Sequence, residues 1–254
     1  MVWAGQKQKT TTNNGLSEAT NERQEMKQQN IIPRVAILSR AFTTAVLALC
    51  AVVLTATYSA KAAGPVPGQS QAFGASLAEW QEVYSRWTFG DITLPVDQNG
   101  NAVVGGNVVL MPIPDGSLDV TLNAGQAFML PLWVIWGTSY DDGTPNDPNL
   151  DLSVFQTLDI AVTIDGVTVI NTGNVMDYYS EFTFDPEIPL PPDWSPYLAL
   201  VWFQGIGMVV PPLTPGQHTI TLDAKNTIPV VDGKGNAYIF EYHNSWNVTV
   251  QAGN

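Results

Sequence analysis

The chain has one cysteine, Cys50, which lies in an apolar stretch ahead of the region that reads as a folded domain. Beyond that stretch there is no disulfide framework and no Cys-His nucleophile. Cationic side chains are almost as scarce. Past residue 62 only Arg86, Lys225 and Lys234 remain, set against many aspartates and several glutamates, so the folded part is more acidic than the whole-chain net charge of -13 suggests. A surface of that sign repels nucleic acid, anionic polysaccharide and anionic lipid, and suits cations, neutral glycans or high ionic strength. The two histidines, His218 and His243, lie on different predicted strands and make no metal-ligand spacing such as His-Glu-x-x-His. There is no Gly-x-Ser-x-Gly elbow, and "GIG" at 205 to 207 lacks the third glycine and the strand-turn-helix setting of a dinucleotide site. No nucleotide, haem or zinc site is expected.

What is present begins with an export signal. Arg34 and Arg40 form a basic flank, residues 41 to 57 an apolar run, and Ala60-Lys61-Ala62 a small-x-small cleavage site, which places a signal peptide over 34 to 62 and a mature start near Ala63. The apolar run is short of the roughly 20 residues a membrane span needs, so the mature form is expected to have no membrane span and to be exported, to the periplasm or outside the cell. Residues 1 to 33 are rich in Gln, Asn and Thr, and Met26 offers a simpler start with an ordinary basic leader. They read as a disordered extension or a misassigned start. Residues 63 to 75 are a linker, and 76 to 254 form one domain of roughly 180 residues, enough to bury a core without staples.

"SLAEWQEVYSRW", from Ser76 to Trp87, predicts the one helix. Ser76 and Glu79 fit a capping box, and Leu77, Trp80, Tyr84 and Trp87 recur along one face. Everything after it reads as strand. "LDIAVTIDGVTVI" alternates through Ile160, Val162 and Ile164, turns at Asp165-Gly166 and alternates back through Val167 and Val169. The terminal "NAYIFEYHNSWNVTV" puts Tyr238, Phe240, Tyr242, Trp246, Val248 and Val250 on one face, as a half-buried strand does. "AGQAFMLPLWVIW" is nearly continuous in apolar residues, the mark of a strand covered on both faces. Pro131 in its middle demands a bulge or a sheet edge. Many short strands with regular turn signals predict an all-β fold: an antiparallel β-sandwich, jelly-roll or immunoglobulin-like, preceded by a short amphipathic helix.

The Trp-bearing helix, "AGQAFMLPL", the "IDGVTV" hairpin and "LTPGQHTITL" occur in this order in a group of uncharacterised secreted bacterial β-sandwich proteins, which the chain resembles over most of residues 76 to 250. The Pro-Gly-x-His-Thr-Ile element also resembles late strands of bacterial immunoglobulin-like domains. The resemblance implies a fold and no activity.

Three candidate sites stand out. "SYDDGTPNDPNLD", residues 139 to 151, offers Asp141, Asp142, Asp147 and Asp151 as calcium ligands, with Asn and carbonyl oxygens to complete six to eight positions. The same residues are turn formers, and the spacing is not that of an EF-hand. Trp194, in a Pro-rich loop, with Tyr178 and Tyr179 on a strand before it, could stack on sugar rings. Glu181 and Glu241, the latter two residues from His243, are a carboxylate pair of the kind glycosidases use. His218 shares parity with Ile220 and Leu222 and is expected inward as a hydrogen-bonded structural residue. The expected function is a secreted acidic binding or structural surface module with a neutral glycan or surface protein as partner, its 139 to 151 loop either a calcium site that stabilises it or a plain solvated turn. The alternative is a glycan-active hydrolase using the carboxylate pair. Self-association through "YLALVWFQGIGMVV" is a third expectation, should its own chain leave that segment uncovered.

Overall fold

A computed structural model describes residues 64 to 253; the expected extension and signal peptide lie outside the described residues. Helix α1 runs Leu77–Thr88, and both halves of its capping box form: the Ser76 side chain accepts from Glu79 N, and the Glu79 carboxylate accepts from Ser76 N at 2.6 Å. Leu77, Trp80 and Tyr84 of its apolar stripe are buried and Trp87 is half-buried. No helix among the described residues is long and apolar enough to cross a membrane.

Twelve strands follow: β1 Val103–Val104, β2 Val108–Leu110, β3 Ser117–Leu122, β4 Ala127–Tyr140, β5 Asp159–Ile164, β6 Val167–Asn171, β7 Tyr179–Pro189, β8 Tyr197–Val210, β9 Gly216–Lys225, β10 Val230–Val231, β11 Ala237–Tyr238 and β12 Glu241–Val250. A short helix α2, Ser153–Gln156, breaks the predicted run of strands. One five-stranded sheet is ordered β1-β2-β4-β8-β7 and the other β3-β12-β9-β5-β6, while β10 and β11 make a two-stranded ribbon. The sheets are mixed rather than purely antiparallel, because β2 runs parallel to β4 and β3 parallel to β12.

The two sheets pack on each other. One core joins Leu130, Trp133, Ile135, Ile206 and Met208 of the first sheet to Ile160, Val162, Ile220, Leu222, Trp246 and Val248 of the second. The other face of the first sheet is also covered. Leu77, Trp80 and Tyr84 of α1 pack on Val108, Leu110, Ala127, Met129 and Val209, and a further cluster gathers Val134, Trp136, Phe184 and Phe203. This three-layer arrangement explains why all fourteen residues of β4 are buried. It also covers β8, which is buried from Ala199 to its end, so the patch on which self-association rested is already taken by the chain itself.

Pro131 sits in a central strand beside a bulge. Pro131 pairs with Gly207 and Trp133 with Ile206, leaving Leu132 as the extra residue. Proline has no N–H to give a ladder, and a bulge is where a central strand tolerates that loss. Hairpin β5-β6 turns at Asp165-Gly166 with φ of 52° and 75°, the left-handed pair of a type I′ turn. A bulge between Val162 and Thr163 shifts the return strand, so Ile170 lies opposite Val162 and is buried, while Val167, paired with Ile164 beside the turn, is exposed.

Candidate functional site

The stretch 139 to 151 leaves the end of β4 and folds back onto it around Asp147, a carboxylate only 7% exposed. Thr138 N and Thr138 Oγ1 donate to Asp147 Oδ2 at 2.9 and 2.7 Å, and Tyr140 OH and Gly233 N donate to Oδ1 at 2.6 and 2.7 Å. Two donors on each oxygen fill the acceptor capacity of a carboxylate. Burial pushes its pKa up, but the bonds from Tyr140, Thr138 and Gly233 outweigh that and hold it below the usual range. The Asp147 carbonyl accepts from Trp202 Nε1 at 2.8 Å. The Trp202 ring lies against Gly137, where a β-carbon would come within 1.9 Å of it, so only glycine lets the indole reach the loop.

The other three acidic residues are spread out. Asp142 accepts from Thr144 N at 3.0 Å and pairs with Lys234 Nζ at 3.0 Å, and the bonds from Thr144 and Lys234 bring its pKa down to about 2. Asp141 accepts from Ser195 Oγ at 3.1 Å, and Asp151 accepts from Ser153 N at 2.8 Å in the turn that opens α2. The four carboxylates expected to surround calcium are thus each held by protein donors, and no group of three or more His, Cys, Asp or Glu that could hold a metal ion occurs among the described residues.

Gly233 and Lys234 belong to a hairpin that has a twin. Val231 to Ala237 reads V-D-G-K-G-N-A and Val96 to Ala102 reads V-D-Q-N-G-N-A. In both, the valine pairs antiparallel with the alanine. Asp97 Oδ1 accepts from Asn99 N and Asn101 N at 2.9 and 3.0 Å; Asp232 Oδ1 accepts from Lys234 N and Asn236 N at 3.0 and 2.8 Å. Each Oδ2 accepts the asparagine side-chain amide, at 3.1 and 2.9 Å. Gly100 and Gly235 take the required positive φ, 84° and 81°. The repeated heptapeptide was the available signal, although two isolated copies set no fixed period.

Between this hairpin and the 139 to 151 loop stands an aromatic group. Tyr140 and Tyr197 lie 5.4 Å apart, and Lys234 Nζ sits 5.2 Å over the Tyr140 ring. Tyr238 donates from its hydroxyl to Asp232 Oδ2 at 3.0 Å and stacks on Phe240. Burial, the Asp232 bond and the nearby Tyr197 push the Tyr238 hydroxyl up to about 12. Tyr197 and Tyr238 are half-buried, with part of each ring left to solvent.

The aromatic residues expected to stack on sugars are not together. Tyr178 ends a 3-10 turn, Val175–Tyr178, instead of lying on a strand, and it is buried in the core between the sheets. Tyr179 packs on Phe155 with ring centroids 4.7 Å apart. Trp194 is half-buried on the opposite face of the first sheet, edge-on to Phe89.

The carboxylate pair is separated as well. Glu181 is on β7 of the first sheet, accepting from Tyr179 OH at 2.7 Å and Gln204 Nε2 at 3.1 Å. Glu241 opens β12 of the second sheet, on the exposed parity, paired with Lys225 at 3.0 Å and 3.4 Å from His243 Nε2. The inward parity of β12 is filled by Tyr242, Trp246 and Val248, so Glu241 and His243 face outward and cannot meet Glu181 across a cleft. His243 Nδ1 lies 2.7 Å from Asp223 Oδ1, and the bonds to Asp223 and Glu241 raise its pKa against a small desolvation.

Each of the three cations of this region is already engaged: Arg86 with Glu82 and Asp91, Lys225 with Glu241, and Lys234 with Asp142. Fifteen aspartates and five glutamates in residues 64 to 253 leave the exterior strongly negative. No protein-family model matches the chain, and no curated protein matches it.

Proposed function

We propose that this protein is an immunoglobulin-like binding module whose loop end, built from residues 139 to 151, the 231 to 237 hairpin and Tyr197, contacts a neutral polar partner such as an uncharged glycan. The strand order supports the fold assignment. With β2, β4, β8 and β7 taken as A, B, E and D, and β12, β9, β5 and β6 as G, F, C and C′, the two sheets follow the strand order of that fold, with two departures: β2 runs parallel to β4, and β3 is added beside the last strand. His218 supports it too. It stands near the start of the F-equivalent strand and contacts the Thr214 carbonyl four residues upstream, where immunoglobulin domains use a tyrosine tied back to the backbone.

The observation that carries the binding reading is the placement of two half-buried tyrosines, Tyr197 and Tyr238, among fixed hydrogen-bonding groups on two stapled loops. Rings held this way offer an apolar face with a polar edge at little entropic cost, the combination sugar recognition uses. The acidic exterior argues for an uncharged partner over an anionic one. Export to the periplasm or outside the cell rests on the signal-peptide reading of residues 34 to 62, which cell fractionation tests directly. Calcium is not needed to hold the loop in this reading, because protein donors fill Asp147. Thermal unfolding in EDTA and in millimolar calcium is therefore expected to give the same midpoint.

Screening the protein against immobilised neutral glycans tests the proposal. A hit weakened about tenfold by Tyr197→Ala or Tyr238→Ala, the loss of roughly 1.4 kcal/mol of ring contact, supports it. Binding that survives both substitutions, or no binding to any neutral glycan, removes it.

A further inference from the structure

His218 opens β9 with its side chain on the inward parity of Ile220 and Leu222, yet both ring nitrogens meet groups that only accept hydrogen bonds. Nε2 lies 2.8 Å from the Thr214 carbonyl oxygen, which has no proton to give, so Nε2 carries one. Nδ1 lies 2.7 Å from Asp165 Oδ2, while Asp165 Oδ1 accepts from Thr219 N at 2.9 Å. A neutral ring protonated on Nε2 would point its Nδ1 lone pair at that carboxylate. Only the doubly protonated imidazolium makes both contacts attractive.

We infer that His218 is a protonated clamp joining the tip of the β5-β6 hairpin to the turn before β9, and that its deprotonation releases the tip. Asp165 is at that tip with φ of 52°, the left-handed region that aspartate enters more readily than most residues, and its carboxylate is thereby turned toward β9 and the His218 ring. The clamp holds the tip on one side, and the Asp165 N bond to the Thr219 carbonyl at 2.8 Å holds it on the other. From β12 the residue opposite His218 is the uncharged Val248, and the β8-β9 turn offers the Thr214 carbonyl; the charge acting on the ring is that of Asp165. His243 is on the outer face of the sheet, apart from this contact.

Burial works against the imidazolium, but the bonds to Asp165 and Thr214 outweigh it and raise the pKa above the ordinary 6.5. A raised folded-state pKa means the stabilisation is complete below about 6.5, the unfolded value, and is lost as pH rises through the folded value. The hairpin tip is thus fastened near pH 6 and loosened as pH rises through the folded value.

Histidine-detected nitrogen NMR on the full chain between pH 6 and 9, with amide hydrogen exchange at Asp165 and Thr219, tests this. Expected are two ring protons on His218 at pH 6, a titration midpoint above 6.5, and amide protection that falls across that midpoint by about tenfold per unit of pKa elevation after correction for intrinsic exchange. His218→Gln should remove the pH dependence of protection and His243→Gln should keep it. If His218→Gln does not fold, Asp165→Asn provides the check, returning the His218 midpoint to 6.5 or below. A singly protonated His218 at pH 6, or pH-dependent protection that persists without the imidazole, overturns the inference.

Discussion

The hairpins at 96 to 102 and 231 to 237 close by the same bonds but serve opposite ends of β4. The first grips the turn before the strand: Gln98 Nε2 donates to Asn123 Oδ1 at 2.8 Å, Asn101 Nδ2 to the Thr121 carbonyl at 2.8 Å, and Gln126 Nε2 to Asp97 Oδ2 at 3.1 Å. The second grips the loop after it, through Gly233 N to buried Asp147 and Lys234 Nζ to Asp142. The closing residues are shared, and the two residues between the aspartate and the glycine differ, Gln98-Asn99 against Gly233-Lys234. One pair reaches out with side-chain amides at the surface. The other brings its backbone against a buried carboxylate. A chain without cysteine in this region staples both ends of its central strand with polar loops, and the staple in low dielectric should count for more, because a group stranded there loses its solvation too.

Replacing the two acceptors puts that difference to the test. Asp147→Ala leaves the donors of Thr138, Tyr140 and Gly233 without an acceptor in a buried site, a cost of about 3 to 4 kcal/mol. Asp97→Ala, half-exposed and open to water, should cost about 1 to 2 kcal/mol in the same denaturant unfolding experiment. Equal losses would mean that burial is not what separates the hairpins. Next in size is exchange of the variable residue. A β-carbon at Gly233 would come within 2.4 Å of the Pro145 carbonyl, so Gly233→Gln should cost about 2 kcal/mol, whereas Gln98→Gly should cost under about 1 kcal/mol.

Acid should open both staples. Burial raises the pKa of Asp97, Asp147 and Asp232, but the hydrogen bonds they accept outweigh it and leave all three lowered. For a depressed carboxylate the stabilisation is present above the unfolded value of about 3.9 and is lost as pH falls through the folded value. Unfolding followed from pH 5 down to pH 2 should therefore lose its slope most in Asp147→Asn and less in Asp97→Asn. The smallest effect belongs to Lys234→Ala, which removes a surface ion pair and a ring contact. Its loss should be near the limit of measurement and should shrink further as salt rises.

What the sequence disclosed was local. The capping box of α1, the Asp165-Gly166 turn and the inward parity of Ile220 and Leu222 depend on neighbours within a few residues, and they stand where the pattern put them. The buried state of Asp147 was hidden, because one of its donors, Gly233, is 86 positions away. The separation of Glu181 from Glu241 was hidden for the same reason, since parity tells which side of a strand a residue takes and not which sheet the strand joins. Trp194 looked like a ligand platform because prolines flank it, and Tyr178 because it read as part of a strand shortly before that loop; packing on the two faces of the first sheet decided otherwise.

The extra residue at Leu132 works like a frameshift. Before it, Phe128 and Leu130 face the second sheet; after it, Trp133 and Ile135 do, while Val134 and Trp136 turn to the opposite side. Odd and even positions exchange meaning halfway along a single strand. Deleting Leu132 would restore a regular ladder in which Trp133 follows Pro131 and every side chain keeps its layer, whereas straightening the strand with Leu132 retained would turn Trp133 and Trp136 to the wrong layers. One further residue inserted into the ladder there would rewrite half of β4, although no single substitution in the strand could do so.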